Sequence, residues 1–324
     1  LSRGLGDVYK RQYTMKVLIV TVIPVLLSTT IYNISSIIDQ GVFKQVALLQ
    51  GYSQNDIDVW WGIYTGKFKL LINVPISIAS AMAASFVPVL TGSYARRDME
   101  DVRNQINLST RFVMVVAFPC TVGLAVLATP IFNLLFNGTR QTNDIASCMM
   151  WIGAVSVLFY AMSTLSNGLL QGIDRLKVPV INAAIALGAH VIVLVALMLF
   201  FRLNIYAVVL ANAFFALLMC FLNSSALKKY SGFEQEIKKT FIIPAICSIF
   251  MGAAAFVIYF LLDHVLIMIG GRIRNAIAFV IAFVVAVIVY AITLLLFKGL
   301  SEDEIRKFPK GMTIIRFAKK FHLL

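Results

Sequence analysis

Residues Trp60 to Tyr94 read WWGIYTGKFKLLINVPISIASAMAASFVPVLTGSY, and this stretch decides the fold class. Lys67 and Lys69 are its only charged residues. A helix needs about 20 apolar residues to cross a hydrocarbon core about 30 Å thick, and this stretch is longer. A backbone in lipid has to satisfy its own hydrogen bonds, so a single spanning segment is an α-helix. The stretch therefore predicts a transmembrane helix longer than one crossing.

The whole chain shares this apolar character. Of its 324 residues, 60% are hydrophobic and 13% are charged, and the mean hydropathy is +0.88. Soluble domains are about 45 to 50% apolar and about 25% charged, so the composition excludes a soluble globular enzyme. The net charge of +13 comes from short basic clusters between long apolar blocks. A nucleic-acid-binding surface needs a continuous basic face, and the sequence therefore predicts no nucleic-acid partner.

Eight apolar stretches predict an all-α integral membrane protein with eight transmembrane helices. They are Val17–Ile38, Trp60–Tyr94, Asn107–Leu127, Ile145–Leu170, Val178–Phe201, Ile205–Leu227, Phe241–Leu262 and Asn275–Phe297. Lys and Arg are enriched on the cytoplasmic side of membrane proteins. With the first span starting inside, 20 of the 28 basic residues lie in inner segments and five lie outside. This asymmetry predicts a multi-pass protein with both termini in the cytoplasm.

The two ends of the chain predict no domain of their own. Residues 1–12 contain the string LGDVYKRQ, which is typical of a read-derived or cloning scar, and they lack the apolar region of a signal peptide. The chain is therefore expected to begin within a longer protein. Residues 298–324 form a basic tail, which is expected either to lie along the anionic inner leaflet or to be an ordinary basic stop after the last span.

A polar stripe runs along the second predicted helix. Its members are Thr65, Lys69, Asn73, Ser77 and Ser80. Residues three or four apart share a helix face, so the stripe indicates a helix beside a water-filled cavity, with Lys67 at its flank. The alternative is that both lysines only extend their ammonium groups to nearby lipid headgroups.

Two other predicted helices carry stripes of the same kind. The first span has Ser28, Tyr32, Ser35 and Asp39, and the fourth has Tyr160, Thr164, Asn167 and Gln171. Asp39 is either a cation site at the same cavity or a plain loop carboxylate just past the span. The stripe in the fourth span is more typical of hydrogen bonding between helices than of a ligand site.

Two further ionisable residues lie within predicted spans, where a charge costs a few kcal/mol. His190 either relays protons or, as a neutral imidazole, bonds to a neighbouring helix. Arg111 is either a ligand for an anion or an anchor at the inner flank. The chain has no GxxxxGK[ST], HExxH or GxSxG motif, so the sequence predicts no enzyme. Bent helices, typical of transporters, are predicted by prolines within the spans: Pro24, Pro75, Pro88, Pro119 and Pro244.

Three segments resemble a family of membrane transporters. Pro24–Asp39 reads PVLLSTTIYNISSIID, Asn73–Ala95 reads NVPISIASAMAASFVPVLTGSYA, and Leu169–Ile185 reads LLQGIDRLKVPVINAAI. They resemble, in that order, the opening helix of the second lobe, the second helix of a lobe, and an inner turn in MurJ-like and stage V sporulation protein B-like flippases. These flippases of lipid-linked oligosaccharides belong to the multidrug/oligosaccharidyl-lipid/polysaccharide exporter superfamily.

The resemblance implies an architecture and a function. Members of this family have two six-helix lobes around a V-shaped central cavity, followed by two extra helices. Residues 13–230 then correspond to the six-helix C-terminal lobe, residues 238–297 to the two additional transmembrane helices, and the N-terminal lobe is missing. The implied function is to flip a polyprenyl-diphosphate-linked peptidoglycan or polysaccharide precursor across the bacterial cytoplasmic membrane by alternating access, with membrane lipids as further partners.

The resemblance also implies which residues bind the substrate. The family's cavity holds the diphosphate of a polyprenyl-linked sugar with basic side chains, and one such cation lies early in the second helix of the second lobe. Lys67 or Lys69 matches that region, and the register does not distinguish them. Thr65 and Asn73, on the same helix, and Arg111 are the further candidates for substrate binding.

No cofactor is implied, but a coupling cation is. Some members of the family carry a sodium site on the second lobe, to which Asp39 and Asn182 correspond here. Ala186, one turn beyond Asn182, stands where an additional carboxylate would help to hold the ion. Proton coupling is the alternative.

Two other functions stay open on the sequence alone. One is a cation-coupled multidrug exporter of the same superfamily, which a buried pair of carboxylates in the first lobe would favour. The other is a non-transporting membrane scaffold for glycan-synthesis enzymes, which would lack a water-filled groove lined by the three polar stripes.

Overall fold

The computed structural model describes residues 34–268 and 270–299, with the single positions 23, 26, 30, 312 and 316. Every regular element in the described ranges is a helix. In chain order they are α1 (described over 34–49), α2 (Gln54–Ile63), α3 (Lys69–Ala95), α4 (Met99–Val126), α5 (Ala128–Leu135), α6 (Arg140–Gly153), α7 (Ser156–Gly172), α8 (Lys177–Leu199), α9 (Ile205–Ser231), α10 (Ile243–Val265) and α11 (Gly271–Leu296). Two π-helical turns, Tyr64–Phe68 and Lys238–Ile242, lead into α3 and α10.

Six helical segments are long and apolar enough to cross a membrane. They are Gln54–Ala95, Met99–Val126, Lys177–Leu199, Ile205–Ser231, Lys238–Val265 and Gly271–Leu296. Helices α6 and α7 meet at a 55° bend and make a seventh if the pair crosses as one broken span. The predicted all-helical membrane fold is therefore confirmed. The number of eight spans stays a prediction, because most of the first one, Val17–Ile38, lies outside the described residues, as do residues 1–12 and nearly all of the basic tail.

Ordinary capping residues set several of the helix ends. Ser53 Oγ accepts a hydrogen bond from the backbone N–H of Asp56 at the start of α2, and Asp98 Oδ1 accepts one from Asp101 at the start of α4. Gly232, with φ of 65°, ends α9 in the left-handed conformation that glycine adopts without strain. At these three positions, residues next to the turn satisfy free N–H or C=O groups of the helix end.

The prolines have different positions within the helices. Pro75 and Pro88 lie inside α3, and Pro119 lies inside α4. Pro244 is the second residue of α10 and follows the π-helical turn Lys238–Ile242 almost directly, within the helical segment Lys238–Val265. Pro24 lies outside the described residues.

The helices pack in two groups. Helix α7 contacts α3, α4 and α9, and α8 packs along α9. The last two helices pack mainly on each other and reach the rest of the bundle through α4 and α5. At that junction Gly252 of α10 faces Val122 of α4, and Tyr290 of α11 donates a hydrogen bond of 2.6 Å to the carbonyl of Val115. Their outer faces are apolar and exposed. In α11 only 17% of the most apolar 18-residue stretch is buried, as expected for a helix in contact with lipid.

The turns gather at two ends of the bundle. We call one the basic end: there the Arg175 guanidinium lies 4.5 Å from the ring centroid of Tyr230, and Arg111 pairs with Glu236. At the opposite end, Gln50 Nε2 donates a hydrogen bond of 2.6 Å to the carbonyl of Met198, so the α1–α2 and α8–α9 turns meet. The antiparallel order of helices therefore separates the two sets of loops, as the alternating spans predict.

The close approach of α10 and α4 predicts the effect of one added methyl group. A Cβ at position 252 would lie 2.6 Å from Val122 Cγ1 and 3.3 Å from Val126 Cγ2, and valine has little rotamer freedom to yield. We expect Gly252→Ala to destabilise the chain by about 1–3 kcal/mol, measured by thermal unfolding in detergent.

Gly188→Ala is the matched control, because a Cβ at position 188 meets nothing within 4 Å. It should leave the unfolding temperature unchanged or raise it, since alanine is the better helix former. Equal unfolding temperatures for the two variants would contradict the close α4–α10 contact.

Candidate functional site

A cavity of about 200 Å³ lies between α1, α3, α7 and α9. Members of all three predicted polar stripes line it: Ser35, Lys69, Asn73, Tyr160 and Thr164. Tyr64, Phe68 and Phe215 supply apolar walls. The structure therefore brings part of each stripe, from three separate helices, to one cavity inside an apolar bundle. Ser28 and Tyr32, the other members of the first stripe, lie outside the described residues.

Lys69 is the one basic side chain in the described lining of this cavity. Its Nζ donates a hydrogen bond of 3.1 Å to Ser36 Oγ and lies 5.6 Å from the ring centroid of Tyr64. The side chain is half-buried, so the ammonium group is partly removed from solvent but still faces open space. A cation in such a site attracts a negatively charged group more strongly than one in bulk water does.

Lys67 points away from the cavity. Its Nζ donates hydrogen bonds to Asn143 Oδ1 at 2.7 Å and to Thr142 Oγ1 at 3.0 Å, both on α6. Residues two apart on a helix do not share a face, so the two lysines have different neighbours. Gly138 makes room for this contact, because a Cβ there would lie 2.5 Å from the Lys67 ammonium. Of the two lysines, Lys69 is in the described lining of this cavity and Lys67 is not.

Three other candidate residues have different surroundings. Asn73 lines the cavity beside Lys69. Thr65 is exposed, is not part of the lining, and donates its hydroxyl hydrogen to the carbonyl of Trp61 at 2.9 Å. Arg111 is 7% exposed and forms an ion pair with Glu236 at the basic end. The structure therefore does not bring Thr65 or Arg111 to the cavity. Arg111 is instead held by the carboxylate of Glu236, which lies 125 residues later in the chain.

A buried polar cluster lies directly beside the cavity. Asp39 and His190 are both fully buried, and Asp39 Oδ1 lies 2.5 Å from His190 Nε2. Asn212 Nδ2 donates a hydrogen bond of 2.8 Å to Asp39 Oδ2. Tyr160 connects the cluster to the cavity by donating its hydroxyl hydrogen to Asn212 Oδ1 at 3.2 Å. Asp39 is therefore a buried carboxylate held by α8 and α9, which corrects the alternative of a plain loop residue.

The two ring nitrogens of His190 have different hydrogen-bond partners. Its Nδ1 is 2.9 Å from the carbonyl oxygen of Ala211, which can only accept, so Nδ1 carries a hydrogen. The 2.5 Å contact between Nε2 and the Asp39 carboxyl also needs a proton, because two lone pairs would repel at that distance. Whichever atom carries it, the pair holds one proton between α1 and α8. Loss of that proton would set an imidazole lone pair against a carboxylate in a low-dielectric interior.

Asn182 is not part of this cluster. It lies eight residues before His190, which is about 12 Å along a helix, and its Nδ2 donates a hydrogen bond of 2.8 Å to Asn223 Oδ1. Asn223 Nδ2 in turn donates one of 2.7 Å to Asn167 Oδ1, so three amides join α7, α8 and α9. We call Asn182, Asn223 and Asn167 the amide ladder. The expectation that Asp39 and Asn182 share one ion site is therefore corrected, since they belong to different hydrogen-bond networks.

The donor set at Asp39 does not fit a sodium ion. A hard cation prefers several oxygen ligands, but both carboxylate oxygens of Asp39 face N–H donors or the imidazole of His190. Within the described residues, no group of three His, Cys, Asp or Glu side chains is placed to hold a metal ion. The cluster is built to satisfy a buried carboxylate with hydrogen bonds.

Asn212 is a residue of this cluster that the sequence did not predict, although a signal for it exists. It stands in the apolar run AVVLANAFF, where a lone amide is costly unless it finds a partner. What the pattern could not supply is the identity of that partner, because Asp39 precedes Asn212 by 173 residues.

Comparisons with known proteins agree with the architecture. Residues 9–270 match the family model described as lipid II flippase MurJ. The lipid II flippase MurJ of Bacillus subtilis (strain 168) is 23% identical over 257 residues, which are 78% of this chain and 46% of that protein. The probable lipid II flippase MurJ of Bdellovibrio bacteriovorus is 29% identical over 167 residues, 50% of this chain and 31% of that protein. The chain therefore spans about half the length of the first curated relative and about a third of the second.

Solved structures show the same fold. A lipid II flippase MurJ in an inward closed conformation has a TM-score of 0.64 at 20% identity, over 85% of this chain and 53% of that one. A MATE transporter in the bent conformation has a TM-score of 0.54 at 13% identity, over 94% of this chain and 69% of that one. At these identities the similarity concerns the arrangement of helices alone.

The buried pair predicts a measurable coupling between two side chains. Asp39→Ala and His190→Ala should each destabilise the chain by roughly 3–5 kcal/mol, because each leaves the other partner buried and unpaired. The double variant should cost about 1–3 kcal/mol less than the two single costs together. Thermal unfolding of all four proteins in one detergent measures the difference.

Asp39→Ala combined with Tyr290→Phe is the control cycle, because Tyr290 bonds to Val115 on another side of the bundle. That pair should be additive. Additive costs for Asp39 and His190 would mean that their contact carries no free energy.

Proposed function

The chain belongs to the lipid II flippase MurJ family, and on this premise we propose that it is part of a transporter that flips a lipid-linked precursor. The precursor is a peptidoglycan or polysaccharide unit on a polyprenyl diphosphate, and it crosses the cytoplasmic membrane by alternating access. The chain would supply the C-terminal six-helix lobe over residues 13–230 and the two additional helices over residues 238–297. A further lobe, as in the longer relatives, would complete the central cavity and is its partner.

The position of Lys69 is the observation that carries this proposal. The diphosphate is the strongly charged part of such a substrate, and a lysine ammonium binds phosphate as a compact point charge. Lys69 offers this charge in a cavity whose described lining has no other charged side chain and includes the polar side chains of Ser35, Asn73 and Thr164. Hydroxyl and amide groups of this kind can exchange hydrogen bonds with a sugar as it passes. The polyprenyl tail would stay in the bilayer, beside the exposed apolar helix faces.

The orientation of the chain is part of the proposal. The basic end carries Arg96, Arg97, Arg175, Lys228 and Lys229. The positive-inside rule places such an end in the cytoplasm. Both termini would then be cytoplasmic, and the α5–α6 and α10–α11 turns would face outward.

We further propose that a proton, and not a sodium ion, is the coupling cation. The Asp39–His190 pair has the only fully buried acid and base in contact among the described residues. It holds one proton between α1 and α8, and Tyr160 and Asn212 connect it to the cavity. Lys69 and Tyr64 are the other titratable groups at this wall. Because release of the proton would break the contact, proton transfer changes the attachment of α1 to α8, which is the kind of change that alternating access requires.

The multidrug exporter remains a second transport function of the same fold. The pair of buried carboxylates that would favour it is expected in the first lobe, whereas the described residues would correspond to the second lobe and the two additional helices. A non-transporting scaffold is disfavoured by the polar recess, which such a protein would not need.

The first test concerns the two lysines. In vesicles that contain the full-length protein, we expect Lys69→Ala to slow precursor flipping about tenfold or more, the loss of one charge-assisted phosphate contact. Lys69→Arg should restore part of the rate. Lys67→Ala is the matched control and should have little effect, because its ammonium group bonds to Asn143 and Thr142 outside the cavity. An unchanged rate with Lys69→Ala would refute the assignment of the cavity.

The second test concerns the coupling cation. In the same vesicles an imposed pH gradient should accelerate flipping several-fold, whereas a sodium gradient at equal pH should not. His190→Gln should abolish the response to the pH gradient. Asn182→Ala, which breaks the amide ladder but removes no titratable group, should keep it. A response to sodium alone would exclude proton coupling at the Asp39–His190 pair.

A further inference from the structure

A second polar recess lies at the end of the bundle that is opposite the basic end. It is separate from the cavity that Lys69 lines. It has a volume of about 530 Å³ and lies where the α5–α6 turn meets the end of α10 and the start of α11. We call it the arginine recess, because Arg140, Arg272 and Arg274 line it together with Asn133, Asn137 and Tyr259. None of these residues takes part in the proposed transport path. The family match also ends at residue 270, before two of the three arginines.

The recess has an excess of positive charge. Arg274 Nε lies 2.8 Å from Asp263 Oδ1, so one arginine has a carboxylate beside it. The side chain of Arg140 is 94% exposed, and its acidic neighbour Asp144 is 4.0 Å away. Arg272 has no acidic partner among the described residues. An anion therefore gains more from this recess than a cation does.

Arg272 is held in place for binding. Its guanidinium donates hydrogen bonds to Asn137 Oδ1 and to the carbonyl of Leu134. These bonds hold the side chain between α11 and the α5–α6 turn. Two of its five N–H groups are used in this way, and the others have no acceptor among the described residues. A guanidinium that is already ordered loses little entropy when it binds a phosphate. The wall behind it is equally fixed, because Asn275 accepts from Tyr259 at 2.7 Å and donates to Pro130.

The surroundings of the recess indicate that the anion is attached to a lipid. The α10–α11 turn beside it exposes apolar side chains: Val265 is 74%, Ile267 is 66% and Met268 is 97% exposed. Ile273, one residue from Arg272, is 63% exposed. Apolar side chains next to arginines are typical of a membrane interface, where the apolar groups enter the acyl region and the cations reach the headgroups. A soluble anion would gain nothing from such an apolar rim.

From these observations we propose that the arginine recess binds the phosphate group of a lipid headgroup. Arg140 and Arg272 contact the phosphate oxygens, while the apolar α10–α11 turn and Ile273 contact the acyl chains. In the orientation proposed above, the lipid belongs to the outer leaflet. The phosphate could come from an anionic phospholipid or from a polyprenyl diphosphate, and the experiment distinguishes these sources.

The test measures lipid binding to the purified chain in detergent by native mass spectrometry. The probes are phosphatidylglycerol and phosphatidylcholine with the same acyl chains. We expect tighter binding of phosphatidylglycerol, and we expect Arg140→Gln with Arg272→Gln to weaken it roughly tenfold. Lys44→Gln with Arg202→Gln is the matched control, because it removes two positive charges at the same end but outside the recess. It should change the affinity less than twofold.

A fold control accompanies this comparison. Arg140→Gln alone replaces an almost fully exposed side chain, so it should leave the unfolding temperature unchanged and still weaken phosphatidylglycerol binding. Equal affinity for the two lipids would overturn the proposal. So would unchanged binding in the double arginine variant, or an equal loss in the control variant.

Two competitors identify the form of the phosphate. Inorganic phosphate should displace bound phosphatidylglycerol only at far higher concentration than a lipid does, and equal potency would overturn the requirement for a lipid anchor. Polyprenyl diphosphate that competes better than phosphatidylglycerol would assign the recess to the transported lipid, and weaker competition would assign it to the phospholipid. The binding measurement does not involve Lys69, so its failure and the failure of the flipping assay are distinguishable.

Discussion

A carboxylate without access to water has to be paired, and in this chain that requirement connects helices that are far apart in sequence. Burying an isolated charge in a medium of low dielectric constant costs far more than the whole stability of a domain. Asp39 avoids this cost through His190 on α8 and Asn212 on α9. The first described helix is therefore attached to the bundle by these polar contacts in addition to the packing of Phe43 and Ala47 in the core.

The fold class could be predicted from the sequence because lipid allows few solutions. A long apolar segment in a bilayer has to be a helix, so the spans follow from hydropathy alone, and the helical period of α3 correctly placed Lys69 and Asn73 on one face of that helix. The bent α6–α7 segment was harder to predict, because Gly153 and Ser156, which flank the 55° bend, are residue types that also occur in straight membrane helices. The two π-helical turns likewise have no signal in the pattern.

The partners within the site could not be predicted, and the reason is the same at each position. Periodicity tells which residues share a face of one helix, but it does not tell which helix lies opposite. Arg111 was a candidate for substrate binding until its carboxylate partner, Glu236, was known. Lys67 and Lys69 could not be told apart because their different hydrogen-bond partners, Asn143 and Ser36, belong to other helices. Asn182 was assigned to an ion site, whereas its partners are two other amides.

The amide ladder has a consequence for the electrical behaviour of the bundle. Asn167, Asn182 and Asn223 carry no charge at any pH, and they join α7, α8 and α9 near the basic end. A membrane potential exerts force only on charges, about 2.3 kcal/mol per elementary charge for each 100 mV crossed. The ladder carries no net charge on which the voltage could act, so the membrane potential acts on this bundle through its ionised groups.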